Sequence, residues 1–296
     1  MHWAPSLISA LLLAPLAIVE LEPGDKVVVT RSCQMQATTG SSVPLPAGAT
    51  LTIVGVTGER LKVAAGRVGA IDPQNVIAAN KADDHFSELI AKNPADAGAL
   101  RARGRLRFDV AVLDPDQLTT AIADLDQSLK LEPSSEAYAF RGFAWKRKGD
   151  KDKAMADLNR AIELNPREAL AWRVRGATWA SKGDLEKALA DYTQSIRIDP
   201  ENPDSLHHRV VLQSACMDAN LRNAKQALAD ATKACEVSNW KDPVYLFGLA
   251  MAYAEAGDFD AAVKWQTKAM ELSAGRMGAT QLELYRQGKP NRTTWK

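Results

Sequence analysis

Residues 135–168 read SEAYAFRGFAWKRKGDKDKAMADLNRAIELNPRE, and residues 169–202 read ALAWRVRGATWASKGDLEKALADYTQSIRIDPEN. The two 34-residue stretches overlay without a gap, pairing Tyr138 with Trp172, Arg141 with Arg175, Gly142 with Gly176 and Trp145 with Trp179. Gly149-Asp150 then falls on Gly183-Asp184, Ala154 on Ala188, Leu158 on Tyr192, and Pro166 on Pro200. A fixed period of this length is the signature of stacked helix pairs. Gly or Ala at the eighth and twentieth positions lets two antiparallel helices approach closely, and large residues fill the space between neighbours. Gly-Asp closes one helix and caps the next, because Gly tolerates the left-handed conformation past a helix end and Asp accepts from the following amides.

Working outward, the same register gives five copies: 97–134, 135–168, 169–202, 203–241 and 243–276. The first carries five extra residues around Asp114-Pro115-Asp116, and the fourth carries five near Met217–Leu221. A helix over Asp83–Lys92 would cap the array before the first copy, and one over Ala279–Gln287 would close it after the fifth. The segments assigned to these caps are 80–94 and 277–290, and Asn291–Lys296 reads as a loose tail containing the glycosylation-type triplet Asn291-Arg292-Thr293.

One feature departs from generic packing. Arg103, Arg141, Arg175 and Arg209 share one register in the first four copies, and Asp124, Asp157, Asp191 and Asp230 share another. In the fifth copy both change together, to Leu249 and Trp265. Opposite charges that disappear together face each other, so these residues predict an Arg–Asp ladder inside the stack.

The pattern Trp172-x-x-Arg175-Gly176-x-x-Trp179, Ala188-x-x-x-Tyr192, Pro200 resembles the tetratricopeptide repeat, with Arg175 where that family usually has Leu. The resemblance implies an α-solenoid whose first helices line a concave groove for a partner. Carried over by register, the groove would present Arg101, Arg105 and Phe108, then Phe143, Lys146 and Arg147, then Arg173, His207, Phe247 and Met251. Its first half is basic with aromatic interruptions and its second half more apolar, which would suit an extended protein or peptide segment with acidic groups at one end. The set does not reproduce the Lys/Asn constellation of the members that bind chaperone tails.

Residues 22–79 are a different material, rich in Val, Gly and Thr, with short strands expected at Asp25–Thr30, Ala49–Val56, Arg60–Val63 and Arg67–Ile71. Their order resembles a bacterial SH3-like domain, a small all-β barrel, whose relatives often target cell-wall peptides. Between Pro23 and Ala79 there is no Trp, Tyr or Phe, so the aromatic groove that receives proline-rich ligands is missing. So short a domain folds alone only marginally and is expected to lean on the helix at Asp83. Residues 1–21 include an uncharged apolar run, Leu7–Val19, of the length of an export-signal h-region. That run, read as a signal peptide or a membrane-proximal apolar segment, points to an exported, periplasmic or envelope-associated protein, the alternative being a cytoplasmic one.

The chain carries Cys33, Cys216 and Cys235, and whether the last two pair is left open by the inserted turn between them. Adjacent His207 and His208 point about 100° apart on a helix, which does not make a metal site. No phosphate-binding Gly loop, nucleophile elbow or His-Glu-x-x-His motif occurs, so neither catalysis, a cofactor nor a small-molecule substrate is expected. A net charge of +1 gives no pull toward nucleic acid. The sequence therefore predicts a mainly α protein, five tetratricopeptide-like helix pairs after a small SH3-like barrel. It would act as a partner-binding scaffold or, alternatively, as a cell-wall-targeting module working through the barrel.

Overall fold

The computed structural model describes seven strands between Lys26 and Ala78 with Ala47 and Ala49, and residues 79–111 and 116–293. The apolar run at Leu7–Val19, Asp114 and Pro115 of the first insertion, and Thr294–Lys296 lie outside the described residues. The chain divides into two compact units, residues 1–144 and 145–296.

The first unit opens with strands β1 (Lys26–Val29), β2 (Cys33–Ala37), β3 (Ser42–Leu45), β4 (Thr50–Thr57), β5 (Arg60–Ala64), β6 (Val68–Ile71) and β7 (Val76–Ala78). They form one antiparallel sheet in the order β3-β2-β6-β5-β4-β1-β7. β1 sits between β4 and β7, with Val27 opposite Leu51 on one side and Val28 opposite Ile77 on the other. Val27, Val28 and Val29 are all buried, so both faces of β1 are covered. Val28 packs with Ala82, Phe86, Ala102 and Leu106 of the helices that follow, and this is the support expected from the helix near Asp83. The sequence points to four of the seven strands and misses β2, β3 and β7, whose Cys-Gln-Met-Gln-Ala, Ser-Val-Pro-Leu and Val-Ile-Ala lack a run of alternating β-branched residues.

Twelve helices follow among the described residues. The first unit holds α1 (Ala82–Lys92), α2 (Ala97–Val110), α3 (Gln117–Leu131) and most of α4 (Ser135–Arg147). The second holds the rest: α5 (Lys151–Leu164), α6 (Ala169–Lys182), α7 (Leu185–Ile198), α8 (Pro203–Ala215), α9 (Ala224–Val237), α10 (Pro243–Glu255), α11 (Phe259–Leu272) and α12 (Ala279–Arg286). Each copy of the repeat supplies one pair, and α1 and α12 fall where the caps were expected. Asp150, Asp184 and Asp258 cap α5, α7 and α11 through the amides of Lys153, Lys187 and Ala261. The preceding Gly183 has φ +86°, the left-handed conformation that a side chain resists. Close approach is equally visible at Gly176, where a Cβ would lie 2.9 Å from the Tyr192 ring and 3.1 Å from the Ala188 carbonyl.

The expected Arg–Asp pairs are seen in the first, third and fourth repeats. Arg103 holds Asp124 at 2.8 and 2.7 Å, Arg175 holds Asp191 at 2.8 and 2.8 Å, and Arg209 holds Asp230 at 2.6 and 2.9 Å. All three carboxylates are about 95% buried, and two-pronged geometry is what makes a desolvated pair tenable. The structure adds a contact that the register did not announce. The remaining guanidinium nitrogen reaches back fifteen or sixteen residues to the second helix of the preceding pair, Arg103 to Ser87, Arg141 to Asp126, Arg175 to Asn159 and Arg209 to Thr193. In the fifth repeat Leu249 is buried with Trp265 packed against its cluster, replacing the charged pair by an apolar one.

Leu282 and Tyr285 of α12 are buried, Tyr285 in a cluster with Ala250, Ala254 and Ala262, which closes the array. The tail corrects the expectation of a loose end. Thr293 makes a parallel bridge with Cys216, and its amide donates to the Ala215 carbonyl at 2.8 Å. Cys216 and Cys235 are buried free thiols, not a disulfide.

Candidate functional site

The first helix of each pair, α2, α4, α6, α8 or α10, carries the residues assigned to a groove. Several are engaged with one another. On α2, Arg101 and Arg105 both reach Glu136 at the start of α4, at 3.1 and 3.4 Å. The Arg105 guanidinium also lies over the Phe140 ring, 4.6 Å from its centroid. Glu136 holds the second position of its repeat, and Asp204 holds the second position of the fourth. Asp204 lies 3.8 Å from Arg173, which has the register of Arg101. The rule is thus a fifth-position arginine facing a second-position acid of the next repeat, and that recurrence was readable in the sequence. Its consequence qualifies the expected basic half of the groove, because Arg101, Arg105 and Arg173 each meet a carboxylate.

Two aromatic or apolar assignments are corrected as well. Phe108 is 5% exposed, packed against Phe140 and Phe143 at centroid distances of 5.9 and 4.7 Å, and Met251 is 3% exposed. Both fill space between helices and present little to a partner. Phe143 and Phe247 are half-buried, and Arg147 is exposed.

Lys146 stands apart. It is half-buried at the end of α4 with no carboxylate partner among the described residues. Burial lowers its pKa, and the positive charges of Arg173 and Lys151 lower it further. A partly desolvated amine facing like charges is a place where a supplied anion would be stabilised.

Beside it lies a polar cluster on α6, α7, α8 and α10. The Tyr245 hydroxyl donates to Asp204 at 2.9 Å, and the His208 ring stacks on Tyr192 at 5.3 Å. His207 packs edge-on to Tyr245 at 5.9 Å, its buried Nδ1 without a hydrogen-bond partner among the described residues. Gly248 makes room for that imidazole, since a Cβ there would come within 2.8 Å of Nδ1. Burial pushes His207 down to about 4 and, with Arg173 and His207 adding to it, pushes His208 down to about 3, so both rings are neutral at pH 7. Desolvation acts against the charge of Asp204, but Arg173 and the Tyr245 hydroxyl outweigh it and leave that carboxyl below its ordinary value. The cluster offers hydrogen bonding and a cation. Cys235, elsewhere in the fourth repeat, is pushed up to about 12 by burial and stays a thiol.

Two family models match the chain, both described as tetratricopeptide repeat, at residues 144–203 and 244–275. No curated protein matches it in sequence. Among solved structures, a chain of the APC/C hetero-tetramer Cut9-Hcn1 is 18% identical with a TM-score of 0.58, over 71% of this chain and 40% of that one. This chain therefore spans well under half of that relative's length. TTC0263, a thermophilic TPR protein of Thermus thermophilus, is 20% identical with a TM-score of 0.46, over 62% of this chain and 96% of that one. YrrB, described as a TPR protein with an unusual peptide-binding site, is 16% identical with a TM-score of 0.47, over 69% and 98%. The likeness to Cut9-Hcn1 concerns the fold alone. With the period, the caps and the glycine approaches already in place, the matched segments establish that this chain carries tetratricopeptide repeats.

Proposed function

We propose that this protein is a non-catalytic scaffold that holds a segment of another protein against the first-helix face of its repeats. The carrying observation is Lys146, a half-buried cation with Arg173 and Lys151 for neighbours and no carboxylate of its own among the described residues. Phe143 one turn before it and Arg147 beside it add ring surface and a second charge on the same helix. An acidic side chain docking there would relieve like-charge repulsion while gaining apolar contact, which is how charge guides encounter and aromatic area supplies affinity. The arginines paired with Glu136 and Asp204 play a smaller part, since a partner's acid must compete with a carboxylate already in place.

The N-terminal sheet is, on this reading, an SH3-like domain serving as an abutment, with β1 buried against α1 and α2. Export to the cell envelope follows from the apolar run Leu7–Val19 and belongs to the same proposal. The test is affinity capture from native extract with the wild type and a Lys146→Glu, Arg147→Glu variant, followed by mass spectrometry. A partner retained by the wild type and lost by the variant supports the reading. Identical partners from both overturn it. Equal adsorption of both proteins to isolated wall material would move the function to the N-terminal domain.

A further inference from the structure

We infer that the ends of α8 and α10 form a subsite for an extended segment bearing a guanidinium, and that the chain's own residues 291–293 occupy it as an intramolecular ligand. The subsite exists because of the five-residue insertion. In the second, third and fifth repeats the first helix ends in a Gly-Asp turn, and the Asp amide closes back on a carbonyl of its last turn, Asp150 to Trp145, Asp184 to Trp179 and Asp258 to Tyr253. In the fourth repeat α8 runs into an extended Cys216 instead, with ψ 138°, and the inserted loop carries the chain away. The carbonyls at the end of α8 are then left for other donors.

Those donors are two arginines and two amides, the Asn223 amide taking the Gln213 carbonyl at 3.1 Å. Arg222, from the inserted loop, reaches the Cys216 and Met217 carbonyls at 3.0 and 3.1 Å and Glu255 at 2.9 Å. Arg292 reaches the Ser214 carbonyl at 3.0 Å and Glu255 at 2.8 Å, and the Thr293 amide donates to Ala215 at 2.8 Å. Glu255 lies at the end of α10 with its side chain 11% exposed. A nearly buried carboxylate beside the negative end of a helix forms an electronegative notch, and Arg222 alone leaves it room for a second cation. By register Glu255 occupies the position that Arg147 holds in its repeat, so the Arg292 contact shares a register with one residue of the proposed partner face. This assignment goes beyond the partner reading and does not depend on it.

The specificity is narrow and the hold is weak. The tail contributes one side chain and one backbone amide to the α8 end, the rest of 291–293 being half-exposed. It is tethered to α12 through Gly288-Lys289-Pro290, and a short tether supplies an effective concentration on the order of millimolar. A partner segment with Arg followed by a residue with a free N–H would make the same contacts, and would have to displace the tail to do so.

The probe is a fluorescent peptide of residues 287–296 added to the full chain. Wild type and an Arg292→Glu, Thr293→Pro variant, whose tail lacks both the cation and the amide, are compared by anisotropy. The expected result is binding to the variant at least tenfold tighter than to the wild type, and its loss when the peptide's arginine is replaced by glutamine. Hydrogen exchange provides the second reading, with the amides of 216–223 exchanging faster in the variant while α5–α7 are unchanged. Equal peptide binding to both proteins, no binding to the variant, or unchanged exchange at 216–223 overturns the assignment. If the double variant loses helical circular dichroism, Arg292→Gln is read in the same way.

Discussion

Replacing Asp191 by Ala tests the ladder most directly. The Arg175 side chain is 19% exposed and the Asp191 side chain 6% exposed, so the substitution leaves a guanidinium in a site where water does not substitute for the lost carboxylate. Breaking one half of a buried pair costs about 3–5 kcal/mol. Two contacts survive the change, Arg175 to Asn159 at 2.9 Å and its stacking 4.7 Å from the Trp172 ring, and these with the partial exposure set the expected loss near the lower bound, about 3 kcal/mol. The fifth repeat supplies an internal control. Its Leu249 and Trp265 occupy the two registers with no charge at all, so Arg175→Leu with Asp191→Trp should recover most of what Asp191→Ala loses. The assay is urea unfolding followed by circular dichroism at pH 7, with the three proteins side by side. A loss under about 1 kcal/mol for Asp191→Ala, which is the scale of an exposed pair, would refute the buried-pair argument. A double variant no better than the single would refute the claim that the charges matter only to each other.

Gly176→Ala should cost about 1–3 kcal/mol by overpacking, because its Cβ would meet the Tyr192 ring at 2.9 Å and a helix carbonyl at 3.1 Å; thermal melting reads the loss. Glu136→Gln removes the carboxylate shared by Arg101 and Arg105, so binding of a hexaglutamate peptide should rise at low salt, and unchanged binding would contradict the pairing as a brake on that surface. His207 and His208 have folded pKa values below the free-imidazole value, so their neutral forms contribute stability that is present above about pH 6.5 and lost as pH falls toward 4. Melting temperature should decline through that window, and His208→Gln, which removes one group facing Arg173, Asp204 and Lys146, should flatten the decline; an identical slope would count against the buried neutral ring.

The helix pairs were legible because their anchors are small, capping or helix-ending residues whose spacing allows one architecture. Gly176, Ala188 and Asp184 each have a local reason to recur, and the structure uses each for that reason. The Arg–Asp pairing was legible for a different reason, since the fifth repeat drops both charges at once. The site was harder. Register placed Arg101, Arg105 and Arg173 on the first helices of their pairs, but the acids that meet them come from the next repeat, a recurrence that shows only when the fifth position of one copy is set against the second position of the following one. Phe108 failed on volume, because a ring at that position meets Phe140 and Phe143 before it meets solvent. β2, Cys33-Gln34-Met35-Gln36-Ala37, does alternate apolar and polar residues and was passed over because it lacks β-branched side chains, whereas β3 and β7, four and three residues long, are too short to show a period.

The arginine that replaces the usual leucine changes how neighbouring repeats are coupled. A leucine at that register would contribute apolar contact to whichever helices surround it, with no requirement on their polarity. Arg175 instead satisfies Asp191 in its own pair and Asn159 in the pair before it, and Arg209 does the same with Asp230 and Thr193. Each arginine therefore has its full set of partners only when two successive pairs are folded together. In a repeat protein, where stability is a sum of unit and nearest-neighbour contributions, this shifts weight from the unit to the interface. An interface-weighted array unfolds in larger cooperative blocks, and the block should weaken where the ladder ends, at the fourth repeat, beyond which Leu249 and Trp265 replace the buried Arg–Asp pair by apolar packing.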